Sequence, residues 1–184
     1  MEGSLEAELL KLAGGVLDPE LPVLSLAELG VVRGVHVYAP GRVEVELTPT
    51  YTGCPAVEAM SADIERALIE HGDVARVRVR LVLEPAWTTD DITAEGRRKL
   101  REFGIAPPRP TREHGPVAVG LGPTRTATDA APAQPGAATP EAVRCPRCDS
   151  PHTTLLSRFS STACKALRRC EDCREPFDHF KELT

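Results

Sequence analysis

Residues 34–60 read GVHVYAPGRVEVELTPTYTGCPAVEAM, and the change of period inside this stretch decides the fold. On either side of Ala39-Pro40-Gly41, apolar and polar residues alternate, which is the pattern of two strands joined by a tight turn. Val43, Val45 and Leu47 should face a core, with Glu44 and Glu46 on the opposite side. Beyond Cys54-Pro55 the period lengthens. Val57, Met60, Ile64 and Leu68 recur at helical spacing and Gly72 supplies a stop, so a helix is expected from Pro55 to His71.

Upstream, Leu5, Leu9, Leu12 and Val16 predict a helix over 4–14 closed by Gly14 and Gly15. The prolines of LDPELPVLSLAELG leave only a helical turn at Ser25–Leu29. Downstream, ARVRVRLVLEP predicts a third strand with Val77, Val79, Leu81 and Leu83 inward. Arg78 and Arg80 point outward, where they can pair with Glu44 and Glu46. Pro85 and the lone Trp87 end that strand and should pack on a last helix, Thr93–Phe103; an exposed Trp87 would serve client contact. The basic residues of that helix, Arg97, Arg98, Lys99 and Arg101, read as a solvated face. The fold class is α+β: a small three-stranded mixed sheet with helices on one face, followed by a C-terminal four-cysteine zinc ribbon.

Composition bounds the rest. A chain of 184 residues holds one ordinary domain plus a small second one. A net charge of −5 argues against general nucleic-acid affinity, and no apolar run reaches the length of a membrane span. The acidic, amphipathic start MEGSLEAELLKL is unlike a signal peptide, so a cytoplasmic protein is expected. From Ala106 to about Glu141 the chain carries eight prolines and little to bury. We therefore expect domains at 1–105 and 142–184 joined by a linker at 106–141, within which VAVGL could add an edge strand.

Of six cysteines, five lie after residue 144. CPRC (Cys145, Cys148) and CEDC (Cys170, Cys173) are two knuckles, each aiming two thiolates at one ion, and together they complete a tetrahedron. Zinc is read ahead of iron and of disulfides, because a reducing compartment disfavours disulfides and the segment has few aliphatic residues. Four thiolates leave no open position, so this metal is structural. Cys164 is left over. It reads as a small buried residue, or as a thiol whose pKa Lys165, Arg168 and Arg169 lower. His152 and His179 read as surface residues beside a complete ligand set.

Cys54 occupies or adjoins a helix N-cap, where free N–H groups favour thiolate over thiol. Thr48, Thr50, Tyr51 and Thr52 offer hydroxyls nearby, while nothing local ties His36 or His71 to it as a base. From the residues alone, a structural cap and a reactive or metal-binding thiol both stay open.

LDPELP (Asp18, Pro19, Glu20, Pro22), LTPTYTGCP (Leu47–Pro55) and LEPAWTTDDIT (Leu83–Thr93) resemble the small α/β domain of SufT-like iron–sulfur assembly factors. CPRCDSPHTTLLSRFSSTACKALRRCEDCREPFDHFK resembles the tail of the PaaD (PaaJ) family, the D component encoded with the multicomponent phenylacetyl-CoA epoxidase. The chain departs from that family at Ser160 (usually Gly), Arg168 (often Tyr) and His179 (often Tyr), none of them a proposed ligand. The resemblance implies an accessory protein of phenylacetate breakdown, not an enzyme. It would assemble or deliver an iron–sulfur cluster, or iron, to the oxygenase or reductase components. Cys54 would be the labile ligand, supported by Thr50, Thr52, Asp18 and Glu20. Asp18 and Glu20 either line that site or pin the first helix. A homodimer would bring two such cysteines together, and Cys164 could share the cargo. Rival readings are a cargo-free adaptor, a cysteine nucleophile without a visible base, and a nucleic-acid ribbon. Eight basic against seven acidic residues from Glu141 onward are too balanced for the last.

Overall fold

The computed structural model describes residues 2–39, 41–51, 53–109 and 142–182. Thr52, the expected VAVGL strand and nearly all of the expected linker fall outside them. The first unit runs α1 (Glu2–Gly15), α2 (Leu26–Leu29), β1 (Val32–Ala39), β2 (Arg42–Leu47), α3 (Ala56–Ile69), β3 (Arg76–Leu81) and α4 (Ala94–Glu102), with a single 3-10 turn at Thr89–Asp91. β1 and β2 pair antiparallel, and β3 lies parallel to β2, so the sheet is mixed in the order β1-β2-β3.

The alternation in β2 sets the two faces. Val43, Val45 and Leu47 are buried under α1 and α3, together with Leu9, Met60, Ile64 and Leu68. On the open face the parallel register sets Glu44 opposite Arg78 and Glu46 opposite Arg80, and the Arg80 guanidinium donates to both carboxylates. Ser25 caps α2 in a reciprocal box with Glu28, and Gly30 ends it with φ 75°, a left-handed conformation that suits glycine.

Several expectations are corrected. Leu81 and Leu83 are exposed, because β3 is an edge strand and the cover over its end stops at the half-buried Val77 and Val79. Trp87 is buried, so it serves no client contact; its indole N–H donates to the Leu29 carbonyl at 2.9 Å and its ring meets Phe180. The basic helix is largely engaged and not merely solvated. Arg97 donates to the carbonyls of Pro108 and Thr89, Arg98 joins Glu95 and Glu102, and Lys99 joins Glu28 at 2.6 Å.

The second sheet has the order β4-β7-β6-β5, with β4 (Ile105–Ala106), β5 (Thr153–Ser157), β6 (Lys165–Cys170) and β7 (Pro176–Phe180). β4 continues directly from the end of α4 and pairs parallel to β7, so the first residue of the expected linker, Ala106, is a strand residue of the ribbon's sheet. Phe180 and Cys164 from this sheet are buried in the same apolar cluster as Leu9, Leu24 and Met60. The ribbon is thus packed onto the first unit.

Candidate functional site

Two groups of chemistry-bearing side chains stand out. The first is the knuckle quartet. Cys145, Cys148, Cys170 and Cys173 bring their sulfurs within 4.8 Å of one another. The Sγ atoms of Cys145 and Cys173 are 3.8 Å apart, and those of Cys148 and Cys170 are 3.5 Å apart. Tetrahedral zinc with bonds of about 2.3 Å needs sulfurs about 3.8 Å apart, so the donor set fits the ion.

The two knuckles are built alike. In each, the residue after the second cysteine is left-handed, Asp149 at φ 59° and Arg174 at φ 65°. The Cys173 N–H donates to the Cys170 sulfur at 3.5 Å. That bond is the main cause lowering the Cys170 thiol to about 7, which prepares it for metal. The apolar cluster beneath is small: Ala106, Cys145, Cys170 and Phe177 with Val143 against it. A bound ion would close the fold here and, with four thiolates, supply no reactive position.

The second group lies where the ribbon meets the first unit. Cys54 sits just before the Pro55 cap of α3 and is half-buried, packed against the main core yet not sealed. Its thiol is pushed up, chiefly by burial, and further by the charges of Glu20, Asp18 and Cys164; the Ala56 N–H pulls the other way. The expectation that the helix start keeps this sulfur ionised is therefore corrected. One N–H does not outweigh desolvation and two carboxylates.

Asp18 is buried, and its Oδ1 accepts the N–H groups of Glu20 at 2.8 Å and Leu21 at 2.7 Å. It pins the loop after α1, and burial raises its pKa despite those bonds. Glu20, presented by that loop, is half-buried; burial and the Asp18 charge raise it. Tyr51 faces Cys54, and burial, then that thiol, raise the phenol. Thr48 is committed elsewhere, accepting from Arg33 at 3.1 Å. Among the described residues, no hydrogen bond ties the Thr50 side chain to the sulfur.

Cys164 is buried, and burial raises its thiol, while the Thr162 hydroxyl, 3.0 Å away, pulls it down. The expected lowering by nearby cations is thus overcome by desolvation. Lys165 is buried too, its Nζ 3.6 Å from Asp178. Ser160 donates its hydroxyl to the same Asp178, which gives the departure from glycine a local function. His179, expected at the surface, is buried because β7 lies between β4 and β6. Its pKa falls to about 4, chiefly through burial. His152 is exposed and pairs with Asp172. The resemblance already groups Asp18, Glu20 and Cys164 with Cys54; what sequence reasoning missed is that Lys165 shares the field of Asp18 and Glu20, since distant segments supply them.

The fold and these two groups define a class: an α+β domain with a half-buried thiol at a strand-to-helix loop, carrying a four-thiolate ribbon. Comparison agrees. The family described as iron–sulfur cluster assembly protein matches residues 6–80, and the PaaD zinc beta ribbon domain matches residues 129–181. The chain is 45% identical over 174 residues to the Escherichia coli (strain K12) protein named as the D component of a 1,2-phenylacetyl-CoA epoxidase, covering 95% of this chain and 91% of the relative. It is 32% identical over 95 residues to an Fe-S protein maturation auxiliary factor of Porphyromonas gingivalis, covering 52% of this chain and 90% of that protein. A crystal structure of a domain of unknown function (DUF59) from Bacillus anthracis shares the fold, with a TM-score of 0.50 at 24% identity over 54% of this chain and 93% of that one. The chain belongs to the PaaD family, the D components of phenylacetyl-CoA epoxidase. Among the described residues, no helix is long and apolar enough to cross a membrane.

Proposed function

We propose that this chain is a non-catalytic accessory protein of phenylacetate breakdown that assembles an iron–sulfur cluster, or supplies iron, for the epoxidase oxygenase or reductase components. Cys54 is the cargo ligand. The observation that carries this reading is the setting of that thiol: half-buried and not sealed from solvent, in the field of Asp18 and Glu20, within a domain matched to iron–sulfur assembly proteins. A protonated thiol at neutral pH suits a carrier. It binds when metal displaces the proton and lets go when the proton returns. The zinc ribbon is structural, and the division into an assembly domain at 1–105 and a ribbon at 142–184 belongs to the same proposal, with the linker beginning after Ala106, which pairs in the ribbon's sheet.

The test is anaerobic reconstitution with ferrous iron and sulfide, followed by transfer to the metal-free reductase. Wild-type protein should take up a visible chromophore and pass it on, whereas Cys54→Ser should do neither. Equal uptake by both would overturn the reading. The cargo-free adaptor draws support from one observation, the raised Cys54 pKa, which makes the resting thiol unreactive. It predicts that Cys54→Ala still captures the epoxidase components and keeps full pathway activity.

A further inference from the structure

We propose that the outer edge of β3 is a docking site for an extended segment of a partner protein in which acidic and aliphatic residues alternate, added as a further strand to the first sheet. The site does not involve Cys54. β3 is the last strand in the order β1-β2-β3, and its inner side is already used: the N–H groups of Arg76 and Val82 donate to the carbonyls of Gly41 and Leu47. Backbone polar groups alternate in direction along a strand, so the N–H and C=O groups of Val77, Val79 and Leu81 point away from β2. Among the described residues no strand pairs with that side. Such an edge is a template for another chain.

β2 shows which sequence fits beside β3. Its valines and Leu47 lie next to Val77, Val79 and Leu81, and its Glu44 and Glu46 lie next to Arg78 and Arg80. The outer edge offers the same side chains a second time. Arg80 is taken by Glu44 and Glu46. Arg76 and Arg78, by contrast, have neither ion pair nor side-chain hydrogen bond among the described residues. Arg42, beside Arg76 in the register, lies over the exposed Tyr38 ring, 5.6 Å from its centroid. Tyr38, Arg42, Glu44, Arg76 and Arg78 line one cavity of about 310 Å³. Unpaired guanidinium groups gathered on a chain of net charge −5 are complementary to carboxylates from another molecule. On the opposite face of β3, Val77 and Val79 are half-buried and Leu81 is exposed, so aliphatic residues at alternate positions of an added strand would extend their cover.

The same arginines select among occupants. Pairing β3 antiparallel with β3 of a second copy sets arginine opposite arginine, which disfavours self-association. Glu44 and Glu46 share the arginine face and repel the phosphates of a nucleic acid. Tyrosine beside arginine is instead the composition of protein-binding hot spots.

The experiment uses the full, zinc-loaded chain and a fluorescent peptide alternating glutamate and valine, read by fluorescence polarisation at low salt. The controls are the same peptide with lysine for glutamate, the same peptide with its backbone amides N-methylated, and a single-stranded oligonucleotide. We expect saturable binding of the glutamate peptide that weakens with salt, and none of the lysine or N-methylated forms. Arg76→Glu places a carboxylate beside Arg42, so it should fold as wild type by circular dichroism and weaken the glutamate peptide about tenfold. Arg76→Gln serves if the charge reversal disturbs folding. No saturable binding to wild type, or unchanged affinity in a folded Arg76 variant, overturns the proposal. Equal binding of the N-methylated peptide would show that charge alone holds it and overturns strand addition. An oligonucleotide bound as tightly as the glutamate peptide would make the face a general anion surface, and a dimer in sedimentation that the peptide splits would seat a second copy there; either result overturns the acidic protein segment as occupant.

Discussion

The rings of Trp87 and Phe180 lie 6.1 Å apart, inclined by 51°, and join the end of the first unit to the last strand of the ribbon. Both are buried, and the Trp87 indole is anchored on Leu29. Truncating Phe180→Ala removes a fully buried ring and should cost about 3–5 kcal/mol of stability. The Trp87 fluorescence should shift to the red as the ribbon loosens. An unshifted spectrum with native stability would show that this contact does not hold the ribbon in place.

Zinc removal should act locally first. The cluster under the knuckles is too small to hold β5, β6 and β7 without an ion. We expect chelation, or Cys170→Ser, to abolish ribbon structure by circular dichroism while the core around Leu9, Val45 and Ile64 persists. Chelator-resistant ribbon signals would contradict the metal's structural role.

The raised Cys54 thiol predicts slow alkylation at pH 7 to 8, with a midpoint above the ordinary value of 9.0. Glu20→Gln removes a negative charge that opposes the thiolate, so its midpoint should fall and neutral-pH labelling should speed up. No change on that substitution would place Glu20 outside the site.

His179 makes stability depend on pH. Its folded pKa is depressed from 6.5 to about 4, chiefly by burial, with the Glu182 carboxylate opposing and Arg168 and Arg109 assisting. A depressed pKa contributes stability above the unfolded value and loses it as pH falls. Glu182, also lowered, adds a loss of the same sign at the acid end. Unfolding free energy should therefore drop between pH 6.5 and about 4, by on the order of 3 kcal/mol for the histidine. His179→Phe should flatten that part of the profile.

Arg174 holds φ 65° after the second knuckle, a conformation that costs a side-chain-bearing residue about 1 kcal/mol. Arg174→Gly should keep zinc and raise the stability of the zinc-loaded ribbon by about that amount in denaturant titration.

What could be read along the chain was what depends on near neighbours. The hairpin of β1 and β2, the apolar stripe of α3, the Ser25 turn and the face shared by Glu44, Glu46, Arg78 and Arg80, of which Arg80 engages both glutamates, all follow from period and turn chemistry. The knuckles follow from two cysteines three positions apart, and their geometry fits zinc. Leu81 and Leu83 show the limit. Alternation put them on the face of Val77 and Val79, but it carries no information on how far the neighbouring elements extend over an edge strand.

By itself, then, the sequence determined the α+β order, the two knuckles and a thiol at the start of α3, because each is specified within a few residues of local backbone. Only the tertiary structure decided that Trp87 and His179 are buried, that burial raises the Cys54 thiol, and that Cys164 and Lys165 come within the field of Asp18 and Glu20. Those outcomes depend on which surfaces exclude water when β4 and β7 pair and the ribbon folds back, and desolvation is a property of the packed whole.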